Sequence, residues 1–282
     1  MPVQPRSLRV LSSPRFQLVA AVGVCLALAA QSGRADESSG DPAPVQLSGR
    51  VSQRFEIYNP HSREQLEALR QMGFTQVILD WPTLHADAAE LGLDVVLAHW
   101  WTVATNPAEI DQAVEFARQV DPQRLVGFSM MDEPERNSPE TSFQFYRSLY
   151  QDVRAYFDRE RPGTKIELSH WGPLASWEEE DYRRFVPLYR AADRMRLMPY
   201  PDLDEGPLDE VFLQMVRSRR VMQLAGRELP WVVILQTWVL PEEPKLPTID
   251  ELRVMAYCAM LGGAETVSFF SYDPAVWDRT PG

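Results

Sequence analysis

Cysteine is scarce in this chain of 282 residues, which contains only Cys25 and Cys258. Cys25 lies in an N-terminal segment that we expect to be removed, so the mature chain would carry one thiol. A single thiol cannot form an intramolecular disulfide, and this excludes a disulfide-stabilised secreted fold. Stability must come from a hydrophobic core, and the content of 45% hydrophobic and 24% charged residues is typical of a globular protein.

Basic residues are also few, because 28 Lys and Arg stand against 40 Asp and Glu, for a net charge of -12. The resulting negative field repels nucleic acid and anionic membrane surfaces, so nucleic acid is not an expected partner. Nucleotide-binding motifs are missing, since neither a G-x-G-x-x-G sequence nor a Walker loop follows any strand-like segment. His99 and His170 lack metal-binding spacing, so we predict neither a metal nor an organic cofactor.

The N-terminal apolar run, from Leu18 to Ala30, is shorter than the roughly 20 residues that a transmembrane helix needs. Three basic residues precede it (Arg6, Arg9 and Arg15), and Ala27-Leu28-Ala29 supplies an A-x-A cleavage site. This order is typical of a secretory signal peptide, which we predict over residues 1–30. The protein is therefore expected to be secreted or periplasmic, with no stable membrane insertion after cleavage.

The exact mature N-terminus is left open by the sequence. Cleavage at the A-x-A site gives a chain that begins near Gln31, and cleavage after Ala35 gives one that begins at Asp36. An uncleaved N-terminal anchor and a lipid attached to Cys25 are alternatives. Residues 31–46 are rich in Ser, Gly, Asp and Pro and are interpreted as a linker to a single domain over residues 47–282.

Within this domain, strand-like and helix-like segments alternate about every 30 residues, which indicates βαβ construction. Helix signals include capping boxes at Ser62 with Gln65 and at Thr248 with Glu251. The eight strand-like segments are residues 55–58, 74–81, 93–101, 124–134, 165–171, 193–200, 229–238 and 265–272. With seven helices between them, they predict a (βα)8 TIM barrel whose last helix is missing or truncated. An open doubly wound sheet is the alternative.

Polar and aromatic side chains end the predicted strands, where the active site of such a barrel lies. Flat rings beside carboxylates and imidazoles suit sugar faces and hydroxyls, so an oligo- or polysaccharide is the expected partner. In the competing interpretation these side chains are structural: the aromatic residues seal the top of the barrel, and the histidines have hydrogen-bond partners within the core. The substrate-binding candidates are Tyr58, Asp80, His99, Trp100, Trp101, Asp132, His170, Trp171, Tyr200, Asp202, Gln236, Trp238 and Tyr272.

The most specific motif is Met131-Asp132-Glu133-Pro134, which closes the fourth strand. It resembles the retaining (βα)8 glycoside hydrolases of the cellulase-like and β-galactosidase-like clan, whose fourth strand ends in Asn-Glu-Pro. Asp132 stands here in place of the Asn. The Asp-Glu-Pro form and the late segment 247–274 resemble glycoside-hydrolase-like barrels of environmental bacteria. The resemblance covers about Phe55 to Pro274 and implies that Glu133 is the catalytic acid/base.

Glycoside hydrolysis needs one protonated carboxyl group and a second, ionised one. We expect the neighbouring Asp132 and partial burial to raise the pKa of Glu133, as the acid role requires. The alternative is that Asp132, Glu133 and Glu135 are not catalytic and only stabilise the N-terminus of the following helix through its dipole.

The second carboxylate is not evident, because the resemblance implies a Glu at the end of strand seven and this chain has Gln236. An amide cannot act as the nucleophile. Possible substitutes are Asp80, Asp202, Asp204, Glu242, Glu243 and Asp273. The sequence thus predicts a hydrolase of β-linked glycans. A non-catalytic glycan-binding barrel, and a hydrolytic or lyase barrel for a non-sugar ligand, remain as alternatives.

Overall fold

The computed structural model describes residues 54–79, 82–98, 114–131, 133, 143–170, 179–201, 206–237 and 247–271. Its strands are β1 (Arg54–Tyr58), β2 (Gln76–Leu79), β3 (Asp94–Ala98), β4 (Leu125–Met131), β5 (Lys165–His170), β6 (Arg194–Leu197), β7 (Trp231–Gln236) and β8 (Thr266–Phe270). Its helices are α1 (Arg63–Gln71), α2 (His85–Glu90), α3 (residues 114–119), α4 (Phe143–Glu160), α5 (Glu179–Tyr189), α6 (Glu210–Ala225) and α7 (Ile249–Leu261).

The eight strands pair in chain order and are parallel, and β1 also pairs with β8. This closure confirms the predicted (βα)8 barrel and excludes the open doubly wound sheet, whose edge strands would stay unpaired. The predicted signal peptide (1–30), the linker (31–46) and the segment after β8 (272–282) lie outside the described residues. In the ranges that are described, no helix combines the length and the apolar character needed to cross a membrane.

Local signals account for several of the element boundaries. The capping box at the start of α7 is confirmed, because Thr248 and Glu251 bond each other's backbone N–H. At α1 only half of the expected box forms: Ser62 accepts from the N–H of Gln65, but the Gln65 side chain accepts from His61 rather than from Ser62. The α6 helix ends at Gly226, whose φ of 69° favours glycine.

Strand side chains alternate between two surroundings. On β7, for example, Val233 and Leu235 belong to the large apolar core between the barrel and its helices, whereas Val232 and Ile234 belong to a smaller cluster inside the barrel. Because alternate residues face opposite sides of a strand, Gln236 falls on the interior side. This alternation decides which strand-end side chains can reach the barrel mouth, the end at which all eight strands finish.

Candidate functional site

Five of the sequence-predicted site residues lie in the described ranges: Tyr58, Glu133, His170, Tyr200 and Gln236. Each lies at or just after the end of its strand, and parallel closure brings all of those ends to the same mouth. The other candidates lie outside the described residues. These are Asp80, His99, Trp100, Trp101, Asp132, Trp171, Asp202, Trp238 and Tyr272, together with the possible second carboxylates Asp204, Glu242, Glu243 and Asp273.

Glu133 lies two residues beyond the end of β4 and is 9% exposed. Its φ is 43°, and only one other non-glycine residue in the described ranges has a positive φ, namely Asn59 with 55° directly after β1. Left-handed backbone is costly for a residue with a side chain and is concentrated at functional sites. The two described exceptions thus both lie at the mouth, and one of them is the candidate acid.

Tyr58 ends β1 with its ring inside the barrel, where it is 2% exposed. Its hydroxyl accepts a hydrogen bond from Nε of Arg196 at 3.0 Å, and the guanidinium lies 5.2 Å from the ring centroid. The ring also meets Phe270 edge to face, with 5.1 Å between centroids. Tyr58 therefore belongs to the packed lining just below the mouth and is fixed from two sides.

Tyr200 and Gln236 complete the described part of the lining. Tyr200 is 4% exposed and packs in the interior cluster that also contains Tyr58 and Met198. Gln236 is 2% exposed and lies in register with Phe270 on β8. The end of β7 thus presents an amide toward the interior, at the position where the resemblance implies a carboxylate.

His170 does not line the mouth as expected. Its fully buried ring lies 4.9 Å from the ring of Phe185 and 5.9 Å from that of Tyr189, both on α5. The reason is the strand alternation: Glu167 and Ser169 occupy the interior positions of β5, so His170 falls on the helix-facing side. Its part in substrate binding stays a prediction that the direction of its side chain does not support.

The sequence analysis missed a set of buried charged residues inside the barrel, here called the charged layer. It consists of Glu56 on β1, Glu167 on β5, and Arg194 and Arg196 on β6, none of which is more than 2% exposed. Arg196 bonds both glutamates, and Arg194 donates to Oε1 of Glu167 from Nε at 2.9 Å. Two negative and two positive charges balance to zero.

Neutral partners complete the hydrogen bonding of the charged layer. Ser268 on β8 donates to Oε1 of Glu56 at 2.7 Å, and Gln76 on β2 donates to its other oxygen. Burial is the largest influence and raises the pKa of Glu56, but the charges of Arg196 and Arg194 and the hydrogen bonds from Arg196 and Ser268 together outweigh it, so the pKa is lowered. Because both glutamates are paired and fully buried, neither is a substitute for the missing second carboxylate.

A sequence signal for the charged layer does exist. Glu56, Glu167, Arg194 and Arg196 occupy alternate positions in otherwise apolar strands, and each falls on the side opposite to the helix-facing residues. Among the described residues, no cluster of three or more His, Cys, Asp or Glu side chains is placed to hold a metal ion.

The sequence matches no protein-family model and no curated protein. Several solved structures have a fold similar to that of this chain. The glycoside hydrolase family 17 β-1,3-glucanosyltransferase from Rhizomucor miehei superposes with a TM-score of 0.57 at 11% identity, over 80% of this chain and 90% of that one. A mutant GH128 endo-β-1,3-glucanase from Amycolatopsis mediterranei, solved in complex with laminaripentaose, gives 0.53 at 13% identity, over 80% and 91%.

The similarity is not restricted to glycoside hydrolases. A β-methylaspartase from Clostridium tetanomorphum, solved as its Mg complex, gives a TM-score of 0.51 at 11% identity, over 82% of this chain and 56% of that one. At such identities a superposition establishes the fold alone, and one barrel fold hosts many chemistries. The chain is thus a TIM barrel similar to glycoside hydrolases, and its function has to be argued from the site.

Proposed function

We propose that this protein is an exported glycoside hydrolase that acts on β-linked glycans, with Glu133 as its general acid/base. The observation that carries the proposal is the place of Glu133: a carboxyl group just past β4, 9% exposed, at the barrel mouth and on left-handed backbone. General acid catalysis needs a carboxyl group held at the reacting bond, and this place provides one.

The surroundings of Glu133 support a sugar as substrate. Tyr58 and Tyr200 contribute aromatic surface to the lining, and an amide at Gln236 can bond hydroxyl groups as donor and acceptor. Structural neighbours that act on β-1,3-glucans have the same barrel. The second carboxylate would come from another strand end or loop, and Asp202, Asp273 and Glu242 are the first to test.

A non-catalytic glycan-binding barrel is the second candidate, and the amide of Gln236 favours it. A barrel without a nucleophile or base opposite Glu133 would bind the same sugars and leave them intact. Hydrolysis of oligosaccharides therefore has to be measured separately from their binding.

The deciding experiment compares the wild-type protein with Glu133→Gln on a panel of β-linked oligosaccharides that includes laminaripentaose. The amide keeps the shape of the side chain and removes its proton, so we expect the hydrolysis rate to fall by roughly 100-fold or more while binding is retained. Glu228→Gln is the matched control, because it makes the same change at an exposed position shortly before β7, at the opposite end of the barrel. It should hydrolyse at the wild-type rate.

Two results would contradict the catalytic proposal. If wild type and Glu133→Gln bind the same oligosaccharide equally and neither cleaves it, the glycan-binding barrel is the better description. If Glu133→Gln cleaves at the wild-type rate, another group is the acid. Where cleavage is found, full activity in each of Asp202→Asn, Asp273→Asn and Glu242→Gln would show that the second carboxylate lies elsewhere.

A further inference from the structure

A second cleft lies on the outer surface, at the end of the barrel opposite the mouth. Residues 190 and 227 follow the last turns of α5 and α6, which lead back to the starts of β6 and β7. The cleft has a volume of about 250 Å³, equal to roughly eight water molecules at their liquid volume. It is lined by Arg147, Tyr150 and Gln151 of α4 and by Arg190, Ala225 and Arg227.

The charge of this cleft is opposite to that of the whole chain. In the part of the chain that the structure describes, Arg147, Arg190 and Arg227 make no ion pair with a carboxylate, although the net charge is -12. The adjacent carboxylate of Asp193 is paired with Arg154, whose NH1 lies 2.6 Å from its Oδ2, but Nε of the same arginine also lies 2.8 Å from Oδ1 of Asp158. One arginine thus serves two carboxylates, and the three arginines that line the cleft still exceed the one negative charge left over.

Hydrogen bonds to main-chain carbonyls hold two of the arginines in place. Nε of Arg190 donates to the carbonyl of Ala225 at 3.2 Å, and NH1 of Arg227 donates to the carbonyl of Arg190 at 3.2 Å. Each guanidinium has five N–H donors, so each keeps donors for a further acceptor. At the edge of the cleft the hydroxyl of Tyr150 donates to Asp193 at 2.6 Å. The cationic groups are thus largely preorganised.

Helix capping explains only part of this arrangement. Arg190 and Arg227 follow the C-terminal ends of α5 and α6, where a cation interacts favourably with the carbonyl end of a helix. Arg147 lies in the N-terminal half of α4, far from such an end, and is exposed. Arg147 thus adds a third positive charge to the cleft that no helix terminus accounts for.

We propose that this cleft binds a tetrahedral dianion: free phosphate or sulfate, or the phosphate ester group of a sugar. Guanidinium groups match such oxyanions in geometry, and their hydrogen bonds to charged oxygens are among the strongest in proteins. Three arginines suit a dianion better than a monoanion, which would leave more of the positive charge uncompensated. The site is separate from the mouth and does not depend on the proposed hydrolysis.

The test is calorimetric titration of the purified protein with sodium phosphate, sodium sulfate, sodium acetate and glucose 6-phosphate, against sodium chloride at matched ionic strength. We expect saturable binding of phosphate and sulfate but not of chloride. Arg147→Gln should weaken the binding at least roughly tenfold, since it removes charge-assisted hydrogen bonds. Arg159→Gln is the matched control, because it removes the same charge from the same helix outside the cleft and should bind like wild type.

Several results would overturn the proposal: no saturable binding of phosphate or sulfate, unchanged affinity in Arg147→Gln, or equal losses in both variants. Acetate that binds as tightly as phosphate would overturn the assignment to a tetrahedral dianion. Glucose 6-phosphate that binds more tightly than inorganic phosphate would support the sugar ester as the natural ligand, and the reverse order would support the free anion. Arg227→Gln, with its unfolding temperature checked first, gives an independent second measurement.

Discussion

The charged layer and the barrel mouth hold their acidic residues in different ways. In the charged layer, Glu56, Glu167, Arg194 and Arg196 are fully paired and balance to zero. At the mouth, the candidate acid Glu133 is held on left-handed backbone at the end of β4. The balanced layer can fix its neighbours but has no charge to offer a substrate. The mouth carries conformational strain, which stable packing elsewhere has to offset.

Tyr58 joins the two regions, because its hydroxyl bonds Arg196 below while its ring lies in the lining of the mouth. Replacing a buried ion pair by apolar side chains is often neutral or stabilising, so the pairs themselves are weak evidence for stability. We infer that the charged layer matters for holding Tyr58 and its neighbours in one arrangement. The following predictions test how far the two regions are coupled.

The largest effect on stability is expected for Arg196→Met. This change leaves Glu56 buried without its arginine partner, and breaking a buried pair on one side costs about 3–5 kcal/mol of unfolding free energy. Chemical denaturation gives the value. Arg63→Met is the control, because Arg63 contacts three carboxylates at the surface with 43% of its side chain exposed, and its loss should be much smaller. Equal losses in the two variants would contradict the distinction between buried and exposed charge.

The sequence predicted the architecture well, because helix caps, glycine stops and apolar strands are local signals. All eight predicted strands occur in the described ranges, and the Thr248 capping box forms as expected. The charged layer depends instead on closure of the barrel: Glu56 and Ser268 are 212 positions apart in the chain. Such pairs follow from strand register, which single-strand patterns do not give.

The candidate site was predicted less completely for a similar reason. Taking the last residues of every strand as one ring ignores the fact that neighbouring residues point to opposite sides. His170 was therefore predicted to lie at the mouth, although its imidazole packs against Phe185 on α5. The left-handed backbone at Glu133 has no sequence signal of its own, whereas Asn59 is of a residue type that adopts it more readily.

A smaller effect is expected for Tyr58→Phe, which breaks the one hydrogen bond that ties Tyr58 to the charged layer. The ring and its contact with Phe270 remain, but Nε of Arg196 loses its acceptor, at a cost of about 1–3 kcal/mol. Tyr257→Phe, at an exposed position on α7, is the matched control and should unfold like wild type. If Tyr58→Phe also unfolds like wild type, the two regions are energetically independent.

An effect of similar size concerns pH and His85, the first residue of α2, which is 3% exposed. Among the described residues, neither of its ring nitrogens has a hydrogen-bond partner, and burial lowers its pKa from 6.5 to about 4. The unfolded chain therefore binds a proton below pH 6.5 that the folded protein excludes until about pH 4. The contribution of His85 to stability should be constant above pH 6.5 and should fall by about 1–3 kcal/mol as the pH is lowered to 4.

The charged layer acts in a different pH window. Because the pKa of Glu56 is lowered from 4.5, its stabilising contribution is lost only as the pH falls below that value. The range from pH 6.5 to 4.5 therefore isolates His85, and the difference in unfolding free energy between wild type and His85→Leu should change there. His61→Leu, at an exposed position, should follow the wild-type curve. If the unfolding free energies of His85→Leu and wild type change in parallel across this range, protonation of His85 does not destabilise the folded protein and the prediction is wrong.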